Sequence, residues 1–503
     1  MKKKYFLFVL IAAWFAAGCH KEKKASTLQL VTDSIFLYSK EAYLWYDALP
    51  DYATFNPRQY ATADNITALQ KEVDAISQYK INPATGRPYE YNQDSPGESK
   101  YSFIDEGQTA TALGGTKGDF GLGLGFYQVP TNLRVRYVYP NSPAAQAGIH
   151  RGDQVTQVNN ITNIDGSNNT SYNSLVSALS SSTITLHLTR PDGSTYTVNL
   201  STANYTVNPV FLYKVFDQGN GKKVGYMVFN SFTVLSNAQP QLDAAFNYFT
   251  SQNITDLVVD LRYNGGGAVE TAEYLDNLIV PPSKDKTTMY NYYFNDILTN
   301  GREVLLKKQW RKDPSTGQDY NYGQFDYTVA GNKVSFSKKG SLNINRVFFI
   351  VTSSTASASE LTINNLLPEM NVQLIGRTTY GKPVGFFDID INKYQLYIPE
   401  FESRNSAGNG GYYTGMVPGS ATYPGINDAD DLTKDFGDPT ERLLAHALNY
   451  VTNGTFALST QQVESTNTGA RALALQKTEQ LNRNFDQPKF NGMVLFHRRP
   501  NQR

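Results

Sequence analysis

RVFFIVTSSTASASELTINNLL, residues Arg346 to Leu367, joins an apolar run, a cluster of small hydroxyl residues and a helical pattern. The run VFFIVT is continuously apolar and short, which predicts a buried strand. ELTINNLL has apolar residues at helical spacing and ends directly before Pro368. Between the two, SSTASASE (Ser353 to Glu360) places four serines among alanines and a threonine. This stretch therefore predicts a strand, a tight turn and a helix, which is a unit of an α/β core.

The same alternation continues on both sides of this stretch. Upstream, the strand-like VGYMVFNSF (224–232) precedes a helical pattern, and the buried run DLVVDLR (256–262) leads into YNGGG and another helical pattern. Downstream, VQLIG (372–376) leads into TTYGKPVG. Such alternation predicts a mixed α/β core with ligand chemistry at strand ends, and we assign residues 205–450 to it. An aromatic and charged insertion at about 283–343 interrupts the pattern.

Short strands with period-two alternation precede this core. They are GDFGLGLGFYQV, LRVRYVYP and TITLHLTR. No helix follows the glycines of GLGLG, which disfavours a dinucleotide-binding loop. Glycine-rich backbone between a turn and a strand instead suits a nest of N–H groups that holds a carboxylate.

The segment YPNSPAAQAGIHRGDQVTQVN resembles the P-x-S-P-A-x-x-A-G-I-x-x-G-D-x-[IV] core of PDZ domains. The resemblance implies a β-barrel-like PDZ domain over residues 112–204, which captures a C-terminal or extended peptide by adding a strand to its own sheet edge. GLGLGF is then the expected peptide-binding segment, made of Gly121, Leu122, Gly123, Leu124, Gly125 and Phe126.

The first residues have the pattern of an export signal. A basic start, Lys2 to Lys4, is followed by the apolar run Tyr5 to Ala17, which is too short to span a bilayer and indicates a signal peptide. Small residues before Cys19 resemble the lipobox of bacterial lipoproteins. Residues 1–19 are therefore expected to form a lipoprotein signal peptide and lipobox, with the lipid attached to Cys19. The resulting lipid anchor would hold the chain at the bacterial cell envelope, on the periplasmic face or the surface of the outer membrane. An ordinary secretory signal with an incidental cysteine is the alternative.

The other segments show no catalytic pattern. We expect a polar tether at 20–27, a helical N-terminal domain at 28–111 with helices over Ser34–Leu49 and Ile66–Ser77, and a polar tail at 451–503. Cys19 is the only cysteine, which excludes an intramolecular disulfide. The formal net charge is zero, so there is no electrostatic reason to expect a nucleic-acid partner.

The serine-rich turn raises the question of a nucleophile and its base. Serines before a helix are frequent N-caps, and a helix N-terminus also stabilises a developing negative charge, so the turn alone leaves both interpretations open. None of the histidines lies beside a glycine- or serine-rich motif: His20, His150, His187, His446 and His497. Lys382 in TTYGKPVG is a candidate base, because burial disfavours its charged form; an exposed loop lysine is the alternative.

VTSSTASASE, together with DLRYNGGG and GRTTYGK, resembles the C-terminal processing (tail-specific) protease family of Ser/Lys peptidases with an embedded PDZ domain. The resemblance implies a crotonase-like α/β catalytic core. It assigns Ser357 as the nucleophile, Lys382, 25 residues further on, as the base, and Glu360 as the group that orients the lysine. A capping carboxylate is the alternative role for Glu360. The implied oxyanion hole uses the N–H of Ala358 and one from Gly266 or Gly267.

The function implied is a lipid-anchored serine endopeptidase that hydrolyses exported proteins. Its PDZ domain would recognise the C-terminal segment of a protein or peptide substrate, with no metal, organic cofactor or nucleic acid required. The alternative is a catalytically silent lipoprotein that binds peptides in the PDZ groove. A crotonase-like acyl-CoA enzyme is disfavoured, because a PDZ domain and an export signal do not suit a cytosolic thioester substrate.

Overall fold

The computed structural model describes residues 25–313, 316–458, 477–483, 485 and 492–495. The predicted signal peptide, Cys19 and most of the polar tail lie outside the described residues. Within the described part of the chain, no helix combines the length and apolar character needed to cross a membrane.

The N-terminal region is mainly helical, with short strands. Its elements are α1 (Thr27–Ala42), α2 (Tyr52–Phe55), α3 (Ile66–Ser77), β1 (Ile81–Asn82), β2 (Arg87–Pro88), β3 (Phe103–Asp105), α4 (Gln108–Leu113) and β4 (Thr116–Asp119). Helix α3 has the bounds expected from the sequence. The helix expected over Ser34–Leu49 is wrong in its bounds: Ser26 caps α1 upstream, and Tyr43 takes an extended conformation that ends it.

An antiparallel five-stranded sheet follows, in the order β5-β6-β7-β8-β9. The elements of this region are β5 (Leu122–Phe126), β6 (Leu133–Val138), α5 (Pro143–Gln146), β7 (Gln154–Val158), α6 (Asn169–Leu179), β8 (Thr183–Thr189), β9 (Thr195–Ser201) and β10 (Ala203–Thr206). The glycine-rich segment is an edge strand of this sheet, and only Gly121 lies in the turn before it. Leu175 of α6 and Leu124 of β5 bury their side chains in one core.

The central sheet has six strands in the order β11-β12-β13-β19-β20-β25, of which β11 is antiparallel to β12 and the others are parallel. Its strands are β11 (Val210–Asp217), β12 (Lys223–Phe229), β13 (Asp256–Asp260), β19 (Arg346–Val351), β20 (Asn371–Gly376) and β25 (Gly425–Asn427). The helices around it are α7 (Leu235–Gln252), α8 (Val269–Ile279), α10 (Ala358–Leu366) and α11 (Arg442–Asn453), and the short strand β14 (Gly266–Ala268) lies outside this sheet. The strands read as continuous apolar runs because helices cover both faces: α7, α8 and α10 on one, α11 on the other.

A second sheet incorporates part of the aromatic insertion, in the order β18-β15-β24-β21. The remaining elements are β15 (Thr288–Phe294), α9 (Asp296–Thr299), β16 (Trp310–Lys312), β17 (Asp319–Asn321), β18 (Lys333–Ser335), β21 (Val384–Gly385), β22 (Ile389–Ile391), β23 (Tyr394–Tyr397), β24 (Phe401–Asn405) and β26 (Gly492–Val494). The N-terminal helices share a core with this region, and β3 pairs with β23. The N-terminal region is therefore built against the segment that follows Lys382.

Three neighbouring parallel strands of the central sheet end at the same edge. Strand β13 pairs with β19, and β19 pairs with β20, in parallel register. The glycine turn follows β13, the serine turn follows β19, and the lysine loop follows β20. The carboxyl ends of parallel strands are where α/β sheets place ligand chemistry, so the fold gathers the three candidate segments at one edge.

Candidate active site

Ser357 lies in a strained turn immediately before helix α10. Its φ of 59° falls in the left-handed region, which residues other than glycine rarely adopt. Its side chain is buried, and its Oγ has no hydrogen-bond partner within the described part of the chain. Ala358, the next residue, is the first residue of α10, so its N–H belongs to the helix end that attracts negative charge.

Glu360 connects the serine turn to the lysine loop. Its Oε2 accepts hydrogen bonds from the N–H groups of Ser357 (2.9 Å) and Lys382 (2.8 Å). Its Oε1 accepts from the N–H of Gly381 at 2.7 Å and from the hydroxyl of Thr379. Burial raises the pKa of the Glu360 carboxyl above its usual 4.5, and these hydrogen bonds oppose the rise. The carboxylate thus fixes the backbone at both candidate catalytic residues.

Lys382 is fully buried between aromatic rings. Its Nζ lies 3.6 Å from the ring centroid of Phe386 and 5.6 Å from that of Tyr101. Burial lowers the pKa of Lys382 well below its usual 10.5, an effect that the nearby carboxylates of Glu90 and Glu360 oppose. A neutral amine can accept a proton, so this environment suits a general base.

The glycine turn after β13 packs directly on the serine turn. A Cβ on Gly266 would lie 2.9 Å from the backbone N of Ala358, so only glycine fits there. The Gly266 N–H donates to Asn264 Oδ1 at 2.9 Å. Gly267 lies opposite Phe232 in a parallel bridge, whose hydrogen bonds are made by the Gly266 carbonyl and the Ala268 N–H. The N–H of Gly267 itself therefore points to the opposite side, toward β26. Of the two glycines named from the sequence, Gly267 has the N–H that Asn264 does not engage, so it stays the candidate oxyanion donor.

Asn264 is a positioning residue that the sequence did not reveal. Its Nδ2 donates to the carbonyl of Phe229 at 2.8 Å, and its backbone carbonyl accepts from Ala356 N–H (3.1 Å) and Ser359 Oγ (3.0 Å). It therefore connects the glycine turn both to the central sheet and to the serine turn. The position directly before three glycines was the only signal in the sequence.

The N-terminal region also reaches the lysine loop. Lys100 Nζ donates to the carbonyls of Gly381 (3.2 Å) and Tyr413 (2.9 Å), and Tyr101 OH donates to the same Gly381 carbonyl. Burial lowers the pKa of Lys100 to about 8. The Glu90 carboxylate accepts from the N–H groups of Tyr101 and Ser102. No role at the site was expected for this region, because more than 250 residues separate it from Lys382.

A buried charge cluster supports the opposite side of the glycine turn. Arg262 donates to Asp260 (2.7 Å), Glu441 (3.0 Å) and Asp430 (2.6 Å). Asp430 also accepts from Arg151 at 2.7 Å, which comes from the antiparallel sheet region. The two guanidinium groups lower the pKa of Asp430. The cluster joins the antiparallel sheet region to the central sheet region.

A cavity of about 1350 Å³ lies between these regions. Its lining includes β5, the turn at Gly265 and Gly266, Ser353 and Ser354, and the loop at Thr379 and Tyr380. Among the described residues, no cluster of histidine, cysteine and acidic side chains is suited to hold a metal ion. Two of the histidines have other partners: His446 contacts Asp428 at 2.7 Å, and His187 of the PDZ-like sheet contacts Thr197 at 2.9 Å.

Two segments of the chain match the models of known protein families. Residues 223–409 match the model of peptidase family S41, and residues 134–190 match the model of the PDZ domain. The chain carries a family S41 peptidase domain. The S41 segment begins at the first residue of β12 and contains the glycine turn, Ser357, Glu360 and Lys382. The PDZ domain contains most of β6 to β8 and helix α6.

Curated relatives of this chain are named as processing proteases. It is 25% identical over 254 residues to the carboxyl-terminal-processing protease of Picosynechococcus sp., covering 50% of each chain. It is 26% identical over 241 residues to the carboxy-terminal processing protease CtpA of Bacillus subtilis, covering 48% of this chain and 42% of the relative. The match thus spans about half the length of these relatives. The family is one of serine-type peptidases.

The fold of this chain is similar to that of a putative S41 protease from Bacteroides fragilis, known from a crystal structure. The TM-score is 0.54 at 22% sequence identity, and the match covers 84% of this chain and 97% of the other. This likeness concerns the fold, a mixed α/β multidomain architecture.

Proposed function

We propose that this chain is a serine endopeptidase of the C-terminal processing type that cleaves peptide bonds with a Ser357–Lys382 dyad. The observation that carries the proposal is the Glu360 carboxylate, which accepts hydrogen bonds from the backbone of both residues. A crotonase-like core, with chemistry at the carboxyl ends of β13, β19 and β20, is part of the same proposal.

In the proposed reaction, Ser357 Oγ attacks the scissile carbonyl while neutral Lys382 takes the serine proton. The lysine then returns the proton to the leaving amine, and water hydrolyses the acyl-enzyme in a second cycle of the same kind. The oxyanion receives hydrogen bonds from the N–H groups of Ala358 and Gly267, which the helix N-terminus and the glycine turn hold in place. Glu360 and Asn264 act as positioning residues.

The PDZ domain is proposed to bind the C-terminal segment of the protein substrate along β5, from Gly121 to Phe126. Strand β5 is an edge strand, and an edge strand presents N–H and C=O groups to which an extended peptide can be added. The cavity leads from β5 to the serine turn, so a peptide bound at the edge can extend toward Ser357.

The proposed location is the bacterial cell envelope, through a lipid on Cys19. The support is the basic, apolar and small-residue pattern of residues 1–19. Labelling of cells with a clickable fatty acid should mark the wild-type protein and fail to mark Cys19→Ser. Equal labelling of both proteins would refute the anchor.

Hydrolysis of a fluorogenic casein or peptide tests the dyad. Ser357→Ala and Lys382→Met should each lower kcat by at least about 1000-fold, because the two residues act as one unit. The matched controls Ser406→Ala and Lys393→Met change exposed side chains and should keep wild-type activity. If wild type binds peptides but cleaves none, the protein is a binding protein instead. If Ser357→Ala cleaves as well as wild type, the mechanism is wrong.

A further inference from the structure

The last described residues of the chain contact both halves of the proposed substrate path. We define the tail segment as the described residues of the range 477–495, which are 477–483, Phe485 and 492–495. One part of it lies on the PDZ domain, and the other lies in the cleft beside the glycine turn.

On the PDZ domain, the tail segment takes the place expected for a peptide. Asn482 Oδ1 accepts the N–H of Phe126 at 2.6 Å, and Asn482 Nδ2 donates to the Phe126 carbonyl at 2.9 Å. One side-chain amide thus satisfies both backbone groups that this edge residue would offer to an added strand. The ring of Phe485 makes edge contacts with Phe126 of β5 (5.4 Å between centroids) and Tyr172 of α6 (5.3 Å). The Phe126 end of the groove between β5 and α6 is therefore occupied by the tail segment.

In the cleft, the tail segment forms strand β26, from Gly492 to Val494. It pairs with β14 on one side, with Gly267 opposite Met493. On the other side, Phe386 N–H donates to the Met493 carbonyl at 2.8 Å, and Leu495 N–H donates to the Phe386 carbonyl at 2.9 Å. The side chains of Met493 and Val494 are fully buried.

This strand occupies the space that a substrate backbone needs. Strand β14 carries Gly267, whose N–H faces β26, and Phe386 is the ring that lies against Lys382 Nζ. A Cβ on Gly266 would lie 2.5 Å from the carbonyl oxygen of Gly492, so the strand approaches the proposed oxyanion hole closely. A substrate strand cannot enter between β14 and Phe386 while β26 is present.

Ion pairs hold the tail segment to two further regions. Arg483 pairs with Asp94 of the N-terminal region at 2.8 Å, and Glu479 pairs with Arg377 after β20 at 2.9 Å. The segment is therefore attached to the N-terminal region, the PDZ domain and the S41 domain together. Because it is part of the same chain, it competes with substrates at a high effective concentration.

We propose that the tail segment is an intramolecular ligand of the PDZ groove and the cleft, and that it inhibits the peptidase until it is displaced. The inhibitory part of this proposal rests on the proposed peptidase function. The apparent kcat/KM of the full chain equals the intrinsic kcat/KM multiplied by the fraction of molecules in which the segment is displaced. The ligand class is a peptide that presents an asparagine and an aromatic side chain to the groove from a helix and places small and apolar residues in the cleft as an extended strand.

The test uses the full-length chain with the double change Asn482→Ala and Phe485→Ala, which removes the contacts with the groove. We expect kcat/KM for a fluorogenic protein substrate to rise about 10-fold, since two hydrogen bonds and a ring contact are lost. The matched control Gln480→Ala changes an exposed side chain of the same segment and should leave kcat/KM unchanged. Unchanged or reduced activity of a folded double variant would overturn the inhibition.

Two readouts do not depend on catalysis. In a Ser357→Ala background, the double variant should exchange the amide hydrogens of Gly267 and Phe126 faster than the parent does. A labelled synthetic peptide of residues 477–495 should bind the double variant more tightly than it binds the parent, and unlabelled peptide should inhibit the active double variant competitively. Equal exchange and no preferential peptide binding would overturn the proposed ligand role.

The failure of each proposal has its own signature. If the double variant and wild type are both folded and inactive while the peptide binds, the proposed peptidase function fails and the ligand assignment stands. If wild type hydrolyses substrate at the same rate as the double variant, the peptidase stands and the inhibition fails. If mass spectrometry shows that wild type, but not Ser357→Ala, loses residues after 485, the segment is a substrate and the inhibition is overturned.

Discussion

The cleft at the serine turn and the groove of the PDZ domain both face extended backbone, but they are built differently. The cleft lies at the buried carboxyl ends of parallel strands, where Glu360 and Asn264 hold three turns together through backbone hydrogen bonds. The groove lies along the edge strand β5, where the outward N–H of Phe126 donates to the Asn482 side chain. Chemistry requires donors fixed in advance, whereas peptide capture requires an accessible edge. Changes in the cleft should therefore affect kcat, and changes in the groove should affect KM.

Outside the Ser357–Lys382 dyad, the largest effect on activity is expected from Gly266→Ala, which changes the rigid cleft. Its φ of 100° is strained for alanine, and the new Cβ would lie 2.9 Å from the backbone of both Ala356 and Ala358. Displacement of the oxyanion donors should lower kcat by about 100- to 1000-fold with little change in KM. The matched control is Gly193→Ala, which has a similar φ of 88° and nothing within 4 Å. If both variants lose activity equally, backbone strain alone explains the result.

The next effect concerns the junction between the two regions. Asp430→Asn removes the charge that Arg151 of the PDZ domain and Arg262 of the S41 domain share. The two buried guanidinium groups would then repel each other, and the free energy of unfolding should fall by about 3 kcal/mol. Urea denaturation measures this loss, with the exposed Asp435→Asn as control. A loss equal to that of the control would show that the junction contributes no stability.

Lys382→Met should stabilise the protein while it abolishes activity. Since the pKa of Lys382 is lowered in the folded state, the unfolded state binds an extra proton between that pKa and 10.5. At a pH between the lowered pKa and 10.5, folding must therefore release a proton from this lysine, and Met removes that cost. The free energy of unfolding of wild type should rise as the pH increases toward 10.5, whereas that of the variant should not show this rise. The kcat/KM of wild type should rise with pH through the lowered pKa of Lys382.

The smallest effect is expected in the groove. Val176 of α6 is partly exposed and lines the cavity, so Val176→Asp places a charge where an apolar peptide side chain would bind. We expect KM for a protein substrate to rise about 3- to 10-fold and kcat to stay unchanged. A short peptide that does not reach the groove should be cleaved as by wild type. A fall in kcat instead would contradict the separation of the two regions.

Much of the fold could be predicted because the central strands are continuous apolar runs. VFFIVT and DLVVD lie in strands close to the predicted bounds, and the PDZ resemblance identified the domain before the core. The helix expected over Ser34–Leu49 was misplaced because Ser26, an N-cap with Gln29 as its box partner, lies upstream of the amphipathic pattern. The insertion carried no readable pattern, because β15 is stabilised by pairing with β24, which is distant in sequence.

The sequence alone determined the local chemistry: the small-residue turn before a helix, a glycine turn after a buried strand, and a lysine beside a glycine. These features depend on residues that are neighbours in the chain, so the strand period, the turn residues and the motif spacing can be recognised in the sequence. Only the tertiary structure decided that Glu360 accepts hydrogen bonds from the backbone of both the serine turn and the lysine loop. It also decided that Lys100 and Tyr101 reach the lysine loop, and that the Gly266 N–H donates to the Asn264 side chain. It alone also brought Asn482 to β5 and β26 to β14. Such contacts join residues far apart in sequence, and they arise from parallel strand order and burial, which local patterns do not encode.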